Sequence, residues 1–152
     1  MSSVRRFGSS ALTLSLLASF FTCGGGLFWS AAFAEITAVN DKTFKKEVNQ
    51  SKTPVLVDFY TKYCVPCKKM APVLEDLATE YSGKVKFVRV DADEAEKTAA
   101  FYDIEMYPYL ALFLPGVKAP VVSVGYKNRE QIKDFLERSL KAPKAKAEAK
   151  SK

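Results

Sequence analysis

Between residues 35 and 140 the chain alternates short apolar runs with longer stretches whose apolar positions recur every three or four residues. Val55-Leu56-Val57-Asp58-Phe59-Tyr60 is a nearly continuous apolar run, the pattern of a strand covered on both faces. Residues 36–39 read as a short strand before it. A helix from Asn40 or Asp41 to about Gln50 joins the two, with Phe44 and Val48 four apart on one face. A helical pattern follows over about 67–81, where Met70, Leu74, Leu77 and Ala78 form an apolar stripe and Gly83 marks the end. Residues 85–90 alternate as a strand does, and 94–102 read as a short helix. The runs 110–114 and 121–124 flank Pro115-Gly116 and predict a hairpin. Asn128 with Gln131 resembles a capping box, opening a last helix that buries Ile132, Phe135, Leu136 and Leu140. The expected order is β-α-β-α-β-α-β-β-α. This is an α/β domain with a central mixed sheet flanked by helices and right-handed crossovers between its parallel strands.

The ends depart from this pattern. Arg5 and Arg6 precede a stretch, 7–34, that contains no charged residue, and 11–21 form an apolar core within it. Ala32-Phe33-Ala34 places small residues where a signal peptidase cuts, so residues 1–34 read as an export signal cleaved before Glu35. The same stretch is long enough to span a bilayer, and retention as an N-terminal membrane anchor is the alternative, although Gly24-Gly25-Gly26 weakens it as a helix. Cys23 as a lipidation site fits poorly, because Phe20-Phe21-Thr22 is a weak lipobox, and Arg5-Arg6 alone is a weak twin-arginine signal. Each version puts the domain outside the cytoplasm, in the periplasm or cell envelope. At the other end, residues 141–152 hold five Lys and one Glu among Ala, Pro and Ser and can bury no apolar area. They read as a disordered basic tail.

Charge then loses its first meaning. The net +6 invites nucleic acid as a partner, but residues 35–140 carry 16 basic and 16 acidic side chains. The excess sits at the two ends, so no basic binding face is expected and nucleic-acid binding is set aside. The chain has no histidine, which removes Ser-His and Cys-His catalysis and the commonest zinc ligand.

The chemistry left is that of Tyr63-Cys64-Val65-Pro66-Cys67-Lys68, between the buried strand and a helix start. A helix N-terminus offers unpaired N–H groups and the positive dipole end to the first cysteine, which lowers a thiol pKa. Two intervening residues return the second cysteine within one turn, and Pro66 stiffens the loop where its missing N–H costs nothing. Half of a zinc site is the alternative, weakened by the lack of a second C-x-x-C and of histidine. An inert structural disulfide is another; it would close a very short loop and constrain the unfolded chain little.

Residues 57–60 with 63–68 resemble the active-site segment of the thioredoxin family, and Met70-Ala71-Pro72 continues the likeness. Ile104-Glu105-Met106-Tyr107-Pro108 is similar to that family's cis-proline loop, and Gly125 sits where the family has a glycine after its last strand. The likeness covers about residues 36–140 and implies the thioredoxin fold and thiol–disulfide oxidoreductase activity. It implies a redox-active disulfide, Cys64–Cys67, with Cys64 the exposed nucleophile and Cys67 the buried resolving thiol. No cofactor and no metal are implied. Asp58, in an apolar strand where a lone carboxylate is expensive, would stay partly protonated and move protons for Cys67. Arg89 stands where thioredoxins have a lysine near this aspartate and would draw it back towards acidity. Pro108 would be cis and face Cys64, and the Tyr107 backbone would bond an extended client strand, with Tyr63, Val65 and Pro66 completing the client surface. Tyr63 in place of tryptophan, Val65 in place of glycine and Tyr109 in place of threonine depart from the pattern. The function expected is a disulfide reductase of the cell envelope, a monomer that takes electrons from a membrane donor and reduces exported clients. A disulfide oxidase or isomerase and a redox-inactive binding module of the same fold are the alternatives.

Overall fold

The computed structural model of the protein describes residues 36–149. The segment read as an export signal or anchor, with Cys23, lies outside the described residues. Among those residues no helix is long and apolar enough to cross a membrane.

Five strands, β1 (Thr37–Ala38), β2 (Val55–Tyr60), β3 (Lys86–Asp91), β4 (Tyr109–Phe113) and β5 (Val121–Val124), form one sheet in the order β1-β3-β2-β4-β5. β3 pairs in parallel with β1 and β2, while β4 runs antiparallel to β2 and β5. The expected mixed sheet is thus present. The helices are α1 (Val65–Glu80), α2 (Glu96–Phe101) and α3 (Arg129–Ala149).

Alternation along β2 assigns its residues to two cores. Val55, Val57 and Phe59 join Phe44, Val48, Val88, Val90, Ala99 and Phe113 on one face. Leu56 joins Met70, Leu74, Leu77, Leu110, Leu112, Ile132 and Leu136 on the other, under α1 and α3. Burying each such side chain is worth about 1.5–3 kcal/mol, so this two-sided burial holds β2 at the centre. Asp58 and Tyr60, two and four residues after Leu56, fall on the α1 face by the same alternation.

The first helix differs from expectation. Instead of a helix over 41–50, a turn leads into one π-helical segment, Lys45–Asn49. Asn40 Oδ1 accepts the N–H groups of Lys42 and Thr43 and tightens the entry. The N–H of Gln50 then bonds the Lys45 carbonyl five residues back. Phe44 and Val48 both stay buried. The last helix starts as the sequence indicates: Asn128 N–H donates to Gln131 Oε1 and Gln131 N–H donates to Asn128 Oδ1, a reciprocal capping box. Its end is a correction. The basic tail read as disordered continues α3 as far as Ala149. Ala, Lys and Glu are strong helix formers, and extending a helix already nucleated needs no new apolar face.

Candidate active site

β2 delivers the chain from the centre of the sheet to its edge, and α1 starts five residues later. Cys64 is the N-cap of α1, with extended backbone (φ −72°, ψ 99°), and Pro66 occupies the first turn. The Cys67 N–H donates to Cys64 Sγ at 3.2 Å. In the disulfide that sulfur is a weak acceptor; as a thiolate it is a strong one, at the positive end of a 16-residue helix. Cys64 and Cys67 are joined as a disulfide, their Cα atoms 5.3 Å apart.

The two sulfurs differ in access. Cys64 is half-buried, and its neighbours Tyr63 (89% exposed) and Val65 (60% exposed) project into solvent. Cys67 is 1% exposed. An incoming disulfide can therefore reach Cys64, while Cys67 is confined to reacting with Cys64.

Just before β4, whose Tyr109 pairs with Phe59 near the end of β2, the peptide bond Tyr107–Pro108 is cis. Pro108 is buried, Tyr107 half-buried and Met106 65% exposed. The Gly125 N–H donates to the Pro108 carbonyl at 2.8 Å and ties this loop to the end of β5. Gly125 has φ +84°, a conformation open to glycine at little cost.

Asp58 is 2% exposed. Across the sheet its register partners are Arg89 on β3 and Leu110 on β4. Arg89 Nε lies 3.3 Å from Asp58 Oδ2, but neither carboxylate oxygen receives a properly directed hydrogen bond. Burial pushes the Asp58 carboxyl up to about 6, against the pull of the Arg89 charge. Desolvation therefore outweighs the acidifying effect of the arginine, whose charge and nearby Nε–H both pull the carboxyl down.

Sequence reading missed the part played by Tyr60. It counted Tyr60 only as a member of an apolar run, yet the Arg89 guanidinium lies over the Tyr60 ring, 4.5 Å from its centroid. The signal was available: Asp58, Tyr60 and Arg89 share one sheet face by alternation. Lys62, also passed over, ties the loop before Cys64 to the end of β3 and the turn after it, with Nζ 2.9 Å from Glu94 Oε1 and 3.9 Å from Asp91 Oδ2. Among the described residues no group of three or more His, Cys, Asp or Glu side chains is placed to hold a metal ion.

The family model for thioredoxin matches residues 35–138. The chain belongs to the thioredoxin family. Thioredoxin C-2 of Corynebacterium nephridii is 41% identical over 107 residues, 70% of this chain and 98% of that relative. Thioredoxin 1 of Nostoc sp. is 42% identical over 102 residues, 67% of this chain and 94% of its own length. The chloroplastic M-type thioredoxin of Spinacia oleracea is 37% identical over 111 residues, 73% of this chain and 61% of the relative. As a thioredoxin, this chain is a thiol–disulfide oxidoreductase that reduces protein disulfides, and Cys64 with Cys67 is its redox pair.

Proposed function

We propose that this thioredoxin works outside the cytoplasm, taking electrons from a membrane-bound donor and reducing disulfides in exported proteins. The observation that carries the direction of transfer is an accessible Cys64 and a buried Cys67, with only Val65 and Pro66 between them and no histidine in the loop. What supports the location is the N-terminal pattern: Arg5 and Arg6, the uncharged stretch 7–34, and Ala32-Phe33-Ala34 before Glu35.

In the proposed reaction the Cys64 thiolate attacks a client disulfide. A Cys64–client bond forms, and the client's own S–S bond breaks to release one thiolate. Asp58 as carboxylate takes the Cys67 proton. The Cys67 thiolate then attacks Cys64 Sγ, closing Cys64–Cys67 and releasing the second client thiolate. The client gains two electrons and two protons, the latter from water and buffer, and the pair of cysteines is oxidised. The backbone of Tyr107, beside Pro108, hydrogen-bonds the client as an added strand, and Tyr63, Val65 and Pro66 meet its side chains.

The test is the reduction potential of the Cys64–Cys67 pair against glutathione. A reductase is expected near the thioredoxin value of about −270 mV; a value near the −120 mV of a strong periplasmic oxidant would reverse the direction. Mass spectrometry of the mature chain tests the location, with Glu35 as the expected first residue.

A further inference from the structure

We propose that Tyr60 is a positioning residue for the dithiol reaction: by stacking against the Arg89 guanidinium it holds that cation beside the Asp58 carboxyl without letting it hydrogen-bond there. The inference rests on the proton role given to Asp58 above.

Three observations meet at this point. The Arg89 guanidinium carbon lies over the Tyr60 ring, 4.5 Å from its centroid, a contact that restrains where the guanidinium can turn. Its Nε is 3.3 Å from Asp58 Oδ2, yet both carboxylate oxygens and that Nε are buried without a hydrogen-bond partner. An arginine bonds a carboxylate through a planar fork, which needs the two planes aligned. Left free, a guanidinium this close to an unsatisfied buried carboxylate would turn into it, because an unbonded buried charge is costly. The stack on Tyr60 opposes that turn.

The groups that could compete are few. From β3, Arg89 is followed on the same face by Asp91, which lies 3.9 Å from Lys62 Nζ. Glu94 is engaged by Lys62 as well. β4 presents the apolar Leu110 beside Asp58. α1, packed over this face, contributes Cys67 as its buried titratable side chain, and α3 contributes Ile132 and Leu136. A cavity of about 110 Å³ borders the stack, lined by Tyr60 and Arg89 with Asn40, Asp91 and Glu94 among its polar residues. Among the described residues the buried carboxyl thus has Arg89 as its cationic neighbour, and Tyr60 sets how that neighbour meets it. The rise of the Asp58 carboxyl to about 6 is the condition the arrangement preserves.

The experiment follows the Asp58 carboxyl by carbon NMR in the full chain with Cys64 and Cys67 joined as the disulfide, so that neither of these two titrates. Y60F keeps the ring and should leave the midpoint in place. Y60L should lower it by one pH unit or more, a tenfold loss of the protonated fraction at fixed pH. Y60M, which lacks a π-face, should do the same and serves if Y60L fails to fold. In an R89Q background Y60L should move nothing, since Tyr60 acts through Arg89. A midpoint that stays or rises in both Y60L and Y60M, or that falls equally with R89Q, overturns the proposal. A fall in midpoint with the pH profile of insulin reduction unmoved would uphold the positioning and overturn the proton role of Asp58.

Discussion

The two faces of the sheet are built from the same strands and differ in one respect. Under the π-helical segment and α2, the face is closed by aromatic rings: Phe59 lies 6.1 Å from Phe44 and 6.0 Å from Tyr109, and Phe44 lies 5.7 Å from Phe113. Nothing in that core titrates near neutrality. Under α1 and α3 the aliphatic side chains are as deeply buried, yet they enclose Asp58, whose carboxylate oxygens lack a well-directed hydrogen bond, together with Cys67. The first face supplies stability and holds β2 in place. The second gives up some of that stability by burying a carboxyl among apolar side chains. A thioredoxin of this size can carry a costly group in one core because the core of the opposite face is built of aliphatic and aromatic side chains.

Cys64→Ser should abolish insulin reduction while leaving the far-ultraviolet circular dichroism and unfolding midpoint those of the reduced wild type. Activity equal to wild type would remove the chemistry from this face altogether. On the silent face, Phe59→Ala should cost about 3–5 kcal/mol in denaturant unfolding, with the reduction rate per folded molecule unchanged. A large fall in that rate would show that the two faces are not separable.

Asp58→Asn sharpens the contrast from the other side. The carboxyl has its folded value raised from 3.8 to about 6, so between those values the unfolded chain binds fewer protons than the native one. Its contribution to stability is therefore present below pH 3.8 and lost as the pH rises to about 6, an effect of roughly 3 kcal/mol. Relative to wild type, the asparagine variant should gain stability of that order at pH 7 and nothing below pH 4. It should also slow the step that needs the Cys67 proton. Asp41, Glu47 and Glu80, each held below its ordinary value by hydrogen bonds from Thr98, Lys86 and Lys133 respectively, titrate alike in both proteins and cancel in the difference. An unchanged difference across pH 4–7 would contradict the burial argument. The smallest effect is expected at Asn128→Ala, which removes half of the capping box and should cost about 1 kcal/mol by the same unfolding assay, with activity retained.

Much of this was legible in the sequence because burial leaves a period. The run from Val55 to Tyr60, the stripe Met70, Leu74, Leu77 and Ala78, and the box at Asn128 and Gln131 each appear where their pattern put them. The strand-to-helix junction around Cys64 was readable for the same reason. The π-helical form of Lys45–Asn49 was not, since Phe44 and Val48 satisfy helical spacing in either winding. Nor was the run of α3 to Ala149, because composition reports whether a segment can bury area and not whether its backbone stays helical. The balance at Asp58 was out of reach for a third reason. Whether Arg89 bonds the carboxylate or only neighbours it depends on the angle of an N–H and on a ring two residues away, and no spacing encodes an angle.

Trapping decides whether Cys64 attacks and Cys67 resolves. With Cys67→Ser in the full chain and a disulfide-bonded protein such as insulin, the account predicts a stable mixed disulfide that peptide mapping places on Cys64. A chain that forms no adduct, or one whose adduct maps to Cys23, would contradict it.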